Sequence, residues 1–173
     1  MTAYVALLRG VNLVGRSTLR MADLKAIAEE LGLESVRTHI ASGNLLFRSN
    51  KRDAKLRQLI ETALHKHMSK GVSVMLRTAE EMQGVVDANP FADAPANRVQ
   101  VFFMNGPPPA DLLQTVRNKA DDERVARGPR EVFVAYGERG IGKSRLRIPA
   151  AEAGTARNMN TVVKLAALAR EMS

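Results

Sequence analysis

Apolar and polar residues alternate in two rhythms along this chain, and the switches between them mark the elements. Tyr4 to Leu8 is a continuous apolar run bounded by Arg9-Gly10, the pattern of a central strand. Leu24, Ile27, Ala28 and Leu31 then recur at helical spacing, and Gly32 follows where a helix would end. Val36 to Ile40 and Leu45 to Phe47 return to short strand runs. Between them lies Ala41-Ser42-Gly43-Asn44, a composition suited to a hairpin because Gly and Asn tolerate positive φ. A second helix is expected from about Asp53, burying Leu56, Leu59, Ile60, Ala63, Leu64 and Met68 and stopping before Gly71. Val72 to Leu76 supplies the fourth strand. This β-α-β-β-α-β order is that of a ferredoxin-like sandwich, two helices on one face of a four-stranded antiparallel sheet, and predicts one such subdomain over residues 1–78.

The remaining residues, 79–173, read as a second, modified α+β subdomain with a C-terminal helix. Thr78 with Glu81 predicts a capping box for a short helix burying Met82, Val85 and Val86, which ends at Asn89-Pro90. Val99 to Met104 is apolar on both faces. The Gly106-Pro107-Pro108-Pro109 turn then leads to a helix expected to turn Leu112, Leu113 and Val116 inward. Arg124 to Arg127 and Val132 to Tyr136 read as a hairpin around Gly128-Pro129, and the last helix buries Val162, Leu165, Ala166, Ala169 and Met172. A closing strand is not evident unless Ser144 to Ile148 provides it. The repetition is one of element order, without residue-by-residue similarity. The class expected is α+β: two ferredoxin-like α/β sandwich subdomains in tandem, with antiparallel sheets and helices on one face.

Composition narrows the function classes. The chain has 173 residues, 45% hydrophobic and 25% charged, the balance of an ordinary globular protein and not of a disordered or fibrous one. Zero cysteines remove disulfides, thiol catalysis and Cys-type zinc sites, and point to a cytoplasmic location. No apolar run reaches about 18 residues and Met1-Thr2-Ala3-Tyr4 lacks a basic leader, so neither a membrane partner nor export is expected. The formal net charge of +8 makes a small anionic ligand and nucleic acid both compatible partners. Between Arg124 and Arg157 there are eight basic and three acidic residues, which also serve as a solvated face.

One motif points to phosphate. Gly137-Glu138-Arg139-Gly140-Ile141-Gly142-Lys143-Ser144 satisfies G-x-x-x-x-G-K-[ST] after an apolar strand run, the P-loop pattern. A working P-loop also needs a long helix starting at the Lys-Ser pair, and Pro149 falls inside what would be its second turn. No later apolar strand ends in an Asp that could hold magnesium. The match therefore lacks its context.

Three polar clusters interrupt the apolar elements: Arg9-Gly10-Val11-Asn12, Ser42-Gly43-Asn44, and Thr155-Ala156-Arg157-Asn158-Met159-Asn160-Thr161. In the split order the first two meet at one sheet end. Arg9 offers a planar fork of donors, Asn12 and Asn44 both donate and accept, and Gly10 and Gly43 would let a ligand approach the backbone. The plainer reading is turn chemistry. The third cluster lies at the start of the last helix, with Thr155 or Thr161 as N-cap, where free N–H groups beside Arg157 favour an anion. The candidate ligand-binding set is Arg9, Asn12, Ser42 and Asn44, joined by Lys143, Arg145, Arg157 and Asn158. No metal and no cofactor is expected: His65 and His67 are two apart on a helix and face different ways, and His39 stands alone in a strand. Ser42 lacks the glycines of a nucleophile elbow, and no carboxylate dyad stands out, so whether any reaction is catalysed stays open. An RNA-recognition module shares the order of elements, yet Asn44-Leu45-Leu46-Phe47-Arg48 is not its aromatic-rich strand, and aromatics make up only 4% with no Trp.

The same clusters carry a family resemblance. The stretches Tyr4-Val5-Ala6-Leu7-Leu8-Arg9-Gly10-Val11-Asn12, Met21-Ala22-Asp23-Leu24, Arg37-Thr38-His39-Ile40-Ala41-Ser42-Gly43-Asn44, Asn89-Pro90-Phe91 and Thr155 through Leu165 resemble the family called domain of unknown function 1697. The resemblance spans nearly the whole chain and implies a two-part α+β architecture with ferredoxin-like pieces. It implies no established reaction. In that family the segment matching Gly142-Lys143-Ser144-Arg145-Leu146 reads as a glycine loop followed by Ser-Lys-Leu or Ser-Arg-Leu, which makes the P-loop match incidental. Its last motif usually carries an aromatic residue where this chain has Met159.

Overall fold

The computed structural model describes residues 1–11 and 18–173. The chain divides into two compact units, residues 1–82 with 165–173, and residues 83–164. In the first unit β1 (Thr2–Leu8), α1 (Met21–Glu30), β2 (Glu34–Thr38), β3 (Asn44–Ser49), α2 (Asp53–Met68) and β4 (Val74–Thr78) follow one another. Their sheet is antiparallel with strand order β2-β3-β1-β4, the ferredoxin-like arrangement.

Side-chain alternation explains what each face does. Tyr4, Ala6 and Leu8 of β1, Leu45 and Phe47 of β3, and Val74 and Leu76 of β4 form one cluster with Leu24 and Ala28 of α1 and Leu56, Ile60 and Leu64 of α2. Each large aliphatic there stabilises by roughly 1.5–3 kcal/mol through removal from water. Tyr4 and Phe47 are directly opposed across β1 and β3 and stack with ring centroids 5.6 Å apart. Val5, Leu7, Leu46 and Met75, which point the other way, are buried as well. Burial on both faces is why β1 reads as an unbroken apolar run. α1 ends in a Schellman arrangement, with Gly32 N donating to Glu29 O at 2.9 Å and Leu33 N to Ala28 O at 3.2 Å.

The second unit repeats the strand plan with less helix. α3 (Ala79–Asp87) begins in the first unit and runs into the second, where β5 (Val99–Phe103), α4 (Leu112–Thr115), β6 (Arg124–Arg127), β7 (Glu131–Ala135) and β8 (Thr155–Asn158) follow; α5 (Met159–Glu171) starts in the second unit and ends in the first. The sheet order is β6-β7-β5-β8. Thr78 and Glu81 form the expected capping box, Glu81 N donating to Thr78 Oγ1 at 3.1 Å and Thr78 N to Glu81 Oε2 at 2.9 Å. The expected burial of α5 is also found, at Val162, Leu165, Ala166, Ala169 and Met172.

Three local expectations are corrected. The closing strand is Thr155–Asn158, paired with β5, while Ser144 to Ile148 contributes only an isolated bridge between Arg117 and Arg147. Leu113 is 54% exposed, because α4 is a single turn that turns only Leu112 fully inward. Ile40 leaves the strand for a left-handed conformation, φ +52°, and is exposed.

Candidate functional site

The end of β1 and the β2–β3 turn are joined by the backbone. Leu8 N donates to Gly43 O at 2.9 Å, continuing the ladder that pairs Leu7 with Asn44, so Arg9 and Gly10 emerge beside Ser42 and Gly43. Arg9 N in turn donates to Ser73 O at 2.9 Å, which fixes the root of an exposed guanidinium side chain. Asn12 lies outside the described residues.

The two glycines of this rim differ in purpose. Gly10 (φ +71°) has open space where a Cβ would stand. Gly43 (φ +85°) has none, since a Cβ there would come within 2.5 Å of Val11 Cγ2 and 2.9 Å of Leu8 Cβ. Of these two, Gly10 leaves room for a ligand to approach the backbone, and Gly43 is required by packing. Asn44 also has an internal task. Its side chain is fully buried, and Nδ2 donates to His39 O at 2.9 Å and to Ser42 Oγ at 3.1 Å, while its backbone O accepts from His39 N at 3.0 Å. The turn is held as a rigid frame, with Ser42 half-buried and Arg9 exposed on its border.

In the second unit the P-loop match does not form a P-loop. After β7 the chain makes a three-residue 3-10 turn at Ile141–Lys143, and no α-helix begins at Ser144. Carboxylates of the protein occupy the loop's donors: Glu138 N donates to Asp122 Oδ2 at 3.1 Å, and Ser144 Oγ donates to the buried Glu123. Glu123 also accepts from Ala120 N at 2.9 Å, so it ties the loop to the start of β6. Gly140 N and Ser144 N donate within the same segment, to Gly137 O at 3.0 Å and Ile141 O at 3.2 Å, so the backbone does not open as a phosphate cradle. Lys143 and Arg145 are exposed on this segment.

Arg157 and Asn158 belong to β8 and the start of α5. Asn158 Oδ1 accepts from Thr161 N at 2.9 Å, which makes Asn158 the N-cap in place of Thr155 or Thr161. Arg157 is 7% exposed, and its Nη1 donates to Thr155 Oγ1 at 2.7 Å and to Ala156 O at 2.9 Å. Burial pulls its guanidinium down to about 10, still protonated at neutral pH. Sequence reasoning missed its counterpart. Arg77 of β4 is 1% exposed and donates through Nη1 to Leu76 O at 2.8 Å, and it stands opposite Val5 as Arg157 stands opposite Val101. Each is followed at once by a helix N-cap, Thr78 and Asn158. The signal lay in that Arg-cap pairing, which only strand register makes visible.

The rim therefore unites Arg9, Ser42 and Asn44 in the first unit. Within the second, Lys143 and Arg145 lie on the loop before β8, whereas Arg157 and Asn158 serve β8 and α5. Among the described residues no cluster of three or more His, Asp or Glu could hold a metal ion. No described helix is long and apolar enough to cross a membrane.

Comparison with known proteins agrees with the fold. The family model described as protein of unknown function, DUF1697, matches residues 1–133. The chain belongs to this family. A solved structure, that of the conserved bacterial protein SP0830 from Streptococcus pneumoniae, is similar to it with a TM-score of 0.78 at 24% identity, over 97% of this chain and 98% of that one. That likeness shows that the DUF1697 chain shares its fold with SP0830. No curated protein matches the chain.

Proposed function

We propose that this DUF1697 protein binds a small anionic, phosphate-bearing ligand at the rim where β1 ends beside the β2–β3 turn. The observation that supports the reading is the Leu8–Gly43 hydrogen bond, which continues the β1–β3 ladder to the point where the exposed Arg9 and the uncrowded Gly10 leave the strand beside the β2–β3 turn. Arg9 supplies the planar, charged donor fork and carries most of the affinity. Ser42 supplies a hydroxyl. Asn44 acts from beneath by holding His39 and Ser42 in place. The rigid turn supports recognition, since little side-chain order has to be created on binding.

The test is thermal stabilisation by a panel of nucleotides and sugar phosphates, with wild type and Arg9→Ala compared at two salt concentrations. A subset of the panel should raise the melting temperature of wild type and leave Arg9→Ala unmoved. Equal shifts in both proteins would remove the rim from the account. Binding of oligonucleotides that collapses steeply with salt would favour nucleic acid as the partner instead.

A further inference from the structure

The second unit contains a cleft whose origin lies in the difference between the two sandwiches. In the first unit the connection from β3 to β4 is the 16-residue helix α2, which lays Leu56, Ile60 and Leu64 on the sheet. In the second unit the matching connection, from β7 to β8, holds only the 3-10 turns Ile141–Lys143 and Pro149–Ala151. The sheet face there is covered by Leu112, Ile148 and Ala151 over Val132 and Val134, with Phe102, Tyr136 and Leu146 only partly buried. A cleft of about 170 Å³ remains between Phe102, Tyr136, Leu146, Ile148 and Ala151.

Its walls and its mouth differ in chemistry. The walls are aliphatic and aromatic, so water inside has few partners, and a cavity on the order of 150 Å³ with such a lining accepts a six-membered ring. Arg147 and Glu152 border the opening, with Arg147 Nη2 2.8 Å from Glu152 Oε1. Both side chains are more than half exposed, so this pair contributes little and can be exchanged. The backbone of Arg147 is nevertheless fixed, because it exchanges two hydrogen bonds of 2.9 Å with Arg117. The local field is positive: from Arg139 to Glu152 the chain carries four basic residues and one acidic. Tyr136 in the wall is a neutral phenol, its hydroxyl pushed up to about 12 by burial and then by the charge of Glu123, and donates to Gln100 Oε1 at 3.1 Å.

We infer that this cleft is a binding site for a monocyclic carboxylate, its ring between Phe102 and Tyr136 and its carboxylate on Arg147 in exchange for Glu152. The apolar volume selects the ring and the guanidinium selects the charge.

The chain suits a direct test. It has no Trp and two Tyr, so tyrosine emission comes from Tyr4 and Tyr136, and the Ile148 and Ala151 methyl groups report from the floor. The full chain, labelled at Ile and Ala methyls, is titrated with phenylacetate, with benzyl alcohol as the uncharged ring and acetate as the charge without a ring. Phenylacetate should shift both methyl signals saturably, with a Kd on the order of 1 mM, and bind at least about fivefold more tightly than either control. Arg147→Gln, an exposed position, should reduce phenylacetate affinity to that of benzyl alcohol. Ala151→Phe, or Leu146→Phe if the first does not fold, should abolish the methyl shifts by filling the cleft. Three results would overturn the site: equal affinity for phenylacetate and benzyl alcohol, no saturable methyl shift up to roughly ten times that concentration, or binding unchanged in Arg147→Gln.

Discussion

Strand order β2-β3-β1-β4 in the first unit and β6-β7-β5-β8 in the second place a buried arginine at the same register, Arg77 opposite Val5 and Arg157 opposite Val101. The covers of the two sheets do not match. One carries helices of 10 and 16 residues, the other a four-residue helix and two 3-10 turns of three. Strand pairing, N-capping and the buried guanidinium are fixed by backbone geometry and tolerate little change. Helical cover is fixed by apolar volume, and it can thin out as long as some residues close the face. The first unit spends its loops on a rigid polar rim, and the second leaves a cleft.

The largest expected effect is at the rim's packing. Gly43→Ala must place a Cβ against Val11 and Leu8 at a φ of +85°, and should destabilise the first unit by about 2–4 kcal/mol in urea unfolding. A change below about 0.5 kcal/mol would show that the turn relaxes freely. Next come the two covers. Ile60→Ala on the inner face of α2 should cost about 2–3 kcal/mol, whereas Ile148→Ala beside the cleft should cost about half as much, because its neighbours already leave space on one side. Equal costs, read from the same unfolding curves, would break the contrast in cover.

These elements were unequally legible. The first unit followed from its sequence because helical spacing and strand runs there are long and separated by clear breaks. β8 escaped notice because Thr155-Ala156-Arg157-Asn158 puts its polar residues inward: Thr155 and Arg157 are the buried positions. Pattern reading assigns such residues to solvent, and only pairing with β5 reverses that. Leu113 was expected inward because a longer helix was expected, and one turn has no opposite face to hide it. The meeting of Arg9 with the β2–β3 turn was readable from element order alone. The inward aim of the Asn44 amide was not, since residue type does not determine rotamer. Nor were the carboxylates that fill the P-loop match, since Asp122 and Glu123 belong to no recognisable spacing with Glu138 and Ser144.

Smaller effects sharpen the comparison of the two arginines and their caps. Arg157→Met keeps volume but removes the donor to Thr155 Oγ1 and Ala156 O, so it should cost about 1–2 kcal/mol at pH 7. The folded value near 10 lies below the ordinary 12.5, so the unfolded chain holds the proton longer and this contribution to stability rises with pH between those values. The gap between wild type and Arg157→Met should therefore shift by roughly 1 kcal/mol in favour of wild type from pH 9 to pH 11, measured by denaturant unfolding. A gap that widens in the other direction would contradict the burial argument. Smallest are the caps: Thr78→Ala should cost about 1–1.5 kcal/mol and Asn158→Ala about 1 kcal/mol or less, because Thr78 alone has a Glu returning its hydrogen bond. A larger loss at Asn158 would reverse that ranking.

The rim itself is tested most directly by an amide NMR titration of the full chain with pyrophosphate. Signals of Leu8 to Gly10 and of Ala41 to Gly43 should move together and saturate at one common affinity, and Arg9→Ala should abolish the movement. Pyrophosphate shifts confined to Lys143 and Arg145, or spread evenly over the basic surface without saturation, would contradict the account.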